Sequence, residues 1–277
     1  MHHPALPVRI LRALVPTFRY WAQTEVHVYA FSIAANVLLS FFPFLIVSMS
    51  VARVFFNQKT TLAALDVVFR DYLPGALSQF LHSDAHNNLP QGKPFQLVSI
   101  VLLLFTANGI FEPLEVALNK VWGLPKNRSY LRNQLMSLGL IFACGGLAML
   151  SLGITALNTQ SVAGNSVEAF IKLFFLKIAA VPLAVIILFL VYRFLPNGKP
   201  PLHRVIPAAI GVGLLLELLK YVNRFAWPPF DDKIAREYGV FRYSVTLIFV
   251  GFIVSMLVLA GAEWSARGYK LFKKEAE

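Results

Sequence analysis

Long apolar runs broken by short polar connections dominate this chain. Six stretches stand out: Ala30–Ala52, Phe95–Phe111, Leu135–Leu157, Leu173–Tyr192, Val205–Phe225 and Tyr243–Ala262. Most are close to the roughly 20 residues a helix needs to cross about 30 Å of hydrocarbon. The second is the shortest. In lipid every backbone N–H and C=O must be satisfied internally, so runs this continuous are helical. The pattern predicts an all-α, polytopic membrane helical bundle with six transmembrane helices, residues 1–277 forming a single membrane domain. Residues 1–29 are a cytoplasmic interfacial segment, and residues 263–277 are a cytoplasmic tail.

Two further helices are expected outside the spans. Leu11, Leu14, Phe18 and Trp21 recur at helical spacing, with Arg12 and Arg19 on another face. This is the signature of an amphipathic helix lying in the membrane interface. The alternative is an ordinary cytoplasmic helix packed on the bundle. The longest connection, Asn57 to Pro94, carries Leu62, Leu65, Val68, Phe69, Tyr72 and Leu73 at helical intervals within Thr61 to Leu81. It is too charged to span and predicts a helical external loop.

Composition supports the membrane reading. Hydrophobic residues make up 57% of the 277 and charged residues 14%, against about 25% charged in a soluble domain. Mean hydropathy is +0.63. A soluble chain this apolar would have too little polar surface to cover its core. The segment Met1 to Gln23 mixes charges among its apolar residues, so no cleavable signal peptide is expected. The lone Cys144 excludes a disulfide framework within one chain.

The net charge of +11 would suggest nucleic acid in a soluble protein. Its distribution explains it differently. Fourteen lysines and arginines fall in the amino-terminal segment, the second and fourth connections and the tail, and six fall in the other connections. The positive-inside rule then places both termini in the cytoplasm, which requires an even number of spans. No nucleic-acid partner is expected.

Ionisable groups inside a span are costly and are functional candidates by default. Glu217 sits near the middle of the fifth span, with Lys220 at i+3 and Arg224 at i+7 on the same face. A structural ion pair is the alternative to a substrate or proton site. In the first span Ser32, Asn36 and Ser40 recur every four residues, ahead of Pro43. At the end of the second, Asn108, Glu112, Glu115 and Asn119 make one polar stripe, and Pro113 is placed to kink the helix. These two faces could line a cavity or bond between helices. Gly139, Gly146 and Gly153 recur every seven residues and predict close helix packing, while Gly251 and Ser255 read as an exposed small-residue face that permits a dimer.

Enzyme chemistry finds little support. His82 and His86 flank Asp84, but no third zinc ligand of the usual type accompanies them. There is no phosphate-binding glycine loop of the P-loop kind and no nucleophile elbow. The acids are dispersed where a two-metal nuclease needs them clustered. No metal, cofactor or catalytic residue is expected.

Four stretches carry a family resemblance. They are AANVLLSFFPFLIV with Ser40 and Pro43, EVALNKVWGLPKNRS with Asn119 and Trp122, YRFLPNGKPPLHRVIPAAI with Tyr192, Pro196, Asn197 and Pro207, and the late GAEW with Gly261, Ala262 and Glu263. In their order and spacing the chain resembles the YihY/BrkB family of bacterial inner-membrane proteins, once labelled ribonuclease BN. It departs from the family around Tyr238 and Gly239, where a second glycine is missing. The resemblance implies six spans with both ends inside the cell, in the inner (plasma) membrane, and no settled activity. Members are generally called transporters or virulence factors. The function expected is a transporter or flippase-like protein for an amphiphilic, anionic substrate such as a lipid. The alternative is a non-transporting membrane scaffold or interaction protein. Membrane lipids are the expected partners, with a homo-oligomer or protein partner left open.

Overall fold

The computed structural model describes residues 15–55, 93–124, 130–161 and 167–267. They are helical almost throughout, with no strand among the described residues. Helix α1 covers residues 15–21. It is followed by α2 (Thr24–Phe55), α3 (Lys93–Trp122), α4 (Tyr130–Ser161), α5 (Val167–Phe194), α6 (Leu202–Tyr238) and α7 (Arg242–Arg267). Five of these, α2, α3, α4, α6 and α7, hold apolar stretches long enough to cross a membrane. Helix α5 contributes the shorter apolar stretch Val181–Phe194. All six apolar runs of the sequence therefore lie in helices. The external loop with Thr61 to Leu81, the histidines His82 and His86, and Leu11 and Leu14 lie outside the described residues.

Helices α2 and α3 run antiparallel, as do α6 and α7. Lys120 at the end of α3 pairs with Glu25 at the start of α2. Arg204 at the start of α6 donates to the Ala266 carbonyl at the end of α7. Thr17 on α1 donates to Glu263 on α7, so the first and last described helices meet at the same end of the bundle. That end also holds Asn119, Asn197 and Glu263 from the sequence motifs and is termed the motif end below.

Helix α7 is the central element, packing on α2, α3 and α6, while α3 also packs on α2 and α5 packs on α4 and α6. Glycine decides how closely these helices approach. A Cβ at Gly261 would lie 2.1 Å from Val212 Cγ2 and 2.7 Å from the Tyr192 hydroxyl. One at Gly251 would lie 3.3 Å from Ala34. Gly251 and the buried Ser255 thus serve the α2–α7 contact inside the bundle and are not an exposed dimer face. The α4 glycines differ from expectation in the other direction. A Cβ on Gly139 or Gly146 would meet nothing within 4 Å, so among the described residues neither packs closely against another helix. The seven-residue period places them on one face but does not say what that face meets.

Helix boundaries extend past the apolar runs. Helix α3 continues through Pro113 to Trp122. Helix α6 runs 37 residues, about 55 Å at 1.5 Å per residue, well beyond the bilayer core. Its apolar length ends at Asn223. The polar extension reaches Tyr238 and stops at Gly239, whose φ of 51° terminates the helix in a conformation that suits glycine. Pro228 and Pro229 lie inside the extension. They leave the carbonyls of Arg224 and Phe225 without their usual helical donors.

Helix α1 settles against the bundle. Trp21 donates its indole N–H to the Met256 carbonyl at 2.7 Å, while Phe18 stays exposed. One face is docked and the other remains free to meet lipid.

Candidate functional site

The charged pair expected in the fifth span is formed. Lys220 Nζ donates to Glu217 Oε2 at 2.6 Å, with the two side chains only 11% and 21% exposed. Their i, i+3 spacing on α6 brings them together, and the short charge-assisted bond is the strong kind. Removing either partner would strip a charge of its short ion-pair bond in an apolar helix, a costly outcome for a buried pair. Arg224 follows on the same helix, but its side chain lies outside the described residues.

The polar face of α2 is occupied locally. Asn36 Nδ2 donates to the Ser32 carbonyl at 2.9 Å and Ser40 Oγ to the Val37 carbonyl at 3.1 Å. Ser40 is buried and Ser32 half-buried. The Asn36 amide lies against Gly109 of α3, where an added Cβ would come 2.2 Å from Asn36 Oδ1. Asn108, half-buried, is the preceding residue of that contact. Helix α2 packs mainly on α3 and α7, and α6 mainly on α5 and α7. The predicted residues thus fall into two groups that share α7 as a neighbour.

The stripe on α3 divides. Glu112 is exposed, whereas Glu115 and Asn119 are buried. Asn119 Oδ1 accepts the backbone N–H of Asn197 at 2.7 Å, and its Nδ2 donates to Glu115 Oε1 at 3.4 Å. The connection between α5 and α6 is thereby tied to the end of α3. Gly198 allows this approach, because a Cβ there would lie 2.7 Å from the Leu124 side chain.

Glu263 organises a second cluster at the same end. It accepts from Thr17 at 2.7 Å and pairs with Arg267 at 3.0 Å, and Arg267 also donates to Thr17 at 2.7 Å. Burial, together with neighbouring Tyr29 and Glu263, pushes the Tyr20 phenol well above its ordinary range, keeping it protonated. Nearby, Tyr192 donates to the Val258 carbonyl at 2.7 Å and Ser265 to the Arg204 carbonyl at 3.1 Å. Thr17, Arg267 and the backbone of Asn197 were not candidate site residues in the sequence. Their partners are up to 250 positions away, and no local period encodes such pairings.

Among the described residues no three histidines, cysteines or carboxylates group as metal ligands would. The Glu217–Lys220 pair lies in the membrane-spanning part of α6, and the hydrogen-bonded clusters of Asn119 and Glu263 lie at the motif end.

Comparison with known proteins gives the chain its relatives. The family model described as virulence factor BrkB matches residues 17–275. A UPF0761 membrane protein of Chlorobium limicola is 25% identical over 260 residues, covering 91% of this chain and 57% of that protein. One from Pseudoalteromonas translucida is 25% identical over 257 residues, covering 87% and 81% respectively. One from Chlorobium phaeobacteroides is 24% identical over 271 residues, covering 92% and 57%. The chain thus spans little more than half the length of the two Chlorobium relatives. No solved structure matches it.

Proposed function

The chain belongs to the virulence factor BrkB family, and on that premise we propose that it moves an amphiphilic, anionic substrate such as a lipid across the membrane. The observation that carries this reading is the Glu217–Lys220 pair within the apolar length of α6. A charged pair is expensive at this depth, and such groups mark substrate or proton pathways. Lys220 offers a cation to an anionic headgroup, and Glu217 can hold it until the substrate arrives. In this reading the protein is not an enzyme.

The motif end faces the cytoplasm in this proposal, supported by the bias of lysine and arginine toward its connections. It belongs to an inner membrane. A cysteine at Lys199 in a Cys144→Ser background should react with a membrane-impermeant thiol reagent only after the cells are opened. Labelling of intact cells would reverse the orientation.

The test of transport is lipid movement between leaflets in proteoliposomes. Wild type should accelerate it, and Glu217→Gln should abolish the acceleration while the protein remains folded. Unchanged flux in Glu217→Gln would remove the pair from the mechanism. The scaffold reading draws on a different observation. The motif residues Asn119 and Glu263 are engaged in holding helices together, as a rigid interaction platform requires. A folded protein that moves no lipid would favour it.

A further inference from the structure

Among the described residues, three buried polar atoms on α6 and α7 at the end opposite the motif end have no hydrogen-bond partner. They are Trp227 Nε1, Asp231 Oδ1 and Thr246 Oγ1. Trp227 is 4% exposed and Thr246 1%. Buried polar atoms are rarely left unpaired, and each exception needs a physical explanation, a bound water or ligand among them.

The three lie at one place. Trp227 and Asp231 are one turn apart on α6 and share a face. The Trp227 ring lies 5.9 Å from that of Phe249 on α7. Thr246 is one turn before Phe249 and on the side of α7 that carries Trp264 and Gly261. Those two residues meet Gly211 and Val212 of α6. Continuing this antiparallel register places Thr246 level with the stretch between Trp227 and Asp231.

Their chemistry is mixed. The indole N–H and the threonine hydroxyl donate, and the aspartate accepts and carries negative charge. The carbonyls of Arg224 and Phe225, deprived of donors by Pro228 and Pro229, add acceptors one turn back. An anion alone would face Asp231, and a simple cation would leave the indole N–H unmet. A ligand with both a phosphate and a primary ammonium satisfies all three.

Depth identifies its source. Trp227 is one turn beyond Asn223, where the apolar length of α6 ends, and Thr246 is one turn inside the start of α7. This is headgroup level. Phe230 and Phe249, whose rings lie 6.4 and 5.9 Å from that of Trp227, add exposed aromatic surface, suited to the upper acyl chains. We propose that Trp227, Asp231 and Thr246 bind the headgroup of a phospholipid bearing a primary ammonium, of the phosphatidylethanolamine class. Asp231 takes the ammonium, while Trp227 and Thr246 donate to the phosphate. The site does not depend on the transport reading, since a bound lipid need not be moved.

The test is binding of dioctanoyl phosphatidylethanolamine and dioctanoyl phosphatidylglycerol to the purified full-length protein in detergent, followed by native mass spectrometry. Wild type should retain the ethanolamine lipid more tightly by about tenfold or more, the scale of one charge-assisted bond. Asp231→Asn should erase that preference, and Thr246→Val should weaken both lipids several-fold. Equal retention of the two lipids by wild type would overturn the proposal without recourse to any variant. So would a preference that survives in both Asp231→Asn and Thr246→Val, leaving a buried water as the occupant.

Discussion

At the motif end, Asn119 bonds both Asn197 and Glu115, and Glu263 bonds both Thr17 and Arg267. At the opposite end Trp227 Nε1, Asp231 Oδ1 and Thr246 Oγ1 are covered atoms that have no hydrogen-bond partner among the described residues. The difference is one of assembly. Motif-end groups come from α1, α3, α7 and the α5–α6 connection, and the Asn119–Asn197, Thr17–Glu263 and Arg267–Thr17 bonds tie distant parts of the chain. The three atoms Trp227 Nε1, Asp231 Oδ1 and Thr246 Oγ1 lie on α6 and α7. Pairing at the motif end is not complete either: Asn197 Oδ1, Glu115 Oε2 and Arg267 Nε are buried atoms there without a hydrogen bond, although Glu115 and Arg267 bond through other atoms. The long-range bonds of the motif end fasten helices together, whereas the three atoms of the opposite end fasten nothing among the described residues.

The contrast predicts opposite responses to mutation. The largest effect belongs to Gly261→Val in the motif half, where the side chain has no room between Val212 and Tyr192. Overpacking there should cost about 3 kcal/mol, seen as a sharp fall in the melting temperature of the detergent-purified protein. Glu263→Ala comes next. It strips the acceptor from Thr17 and Arg267 and should cost about 2 kcal/mol, below the value for a fully buried pair because both charged side chains are partly exposed. Thr246→Val is the smallest. With no bond to lose, it should leave stability in lipid-free detergent unchanged or raise it by up to about 1 kcal/mol. A marked destabilisation by Thr246→Val would break the comparison, because the hydroxyl would then have a partner.

Much of the fold was legible in the pattern of the chain. Six apolar runs became helices because lipid leaves the backbone no alternative, and Glu217 with Lys220 met because helical spacing brings them together. The boundaries were less legible. Apolarity reports where lipid ends, not where a helix ends: α3 passed Pro113, and α6 passed Pro228 and Pro229 to stop at Gly239. The glycines of α4 and the Gly251–Ser255 face were misread for one reason. Periodicity says which residues share a face, but not whether that face meets a helix, lipid or another chain. Glu112 and Glu115 show the same limit: three positions apart, one is exposed and the other buried. The motif-end clusters required tertiary contacts that no local spacing encodes.

A charge swap on α6 tests the central claim most directly. The double variant Glu217→Lys with Lys220→Glu keeps an ion pair in the same place and reverses its polarity. If the pair handles substrate, the swapped protein in proteoliposomes should melt like wild type and move no lipid. Full lipid movement by the swapped protein would contradict the account and make the pair a structural one.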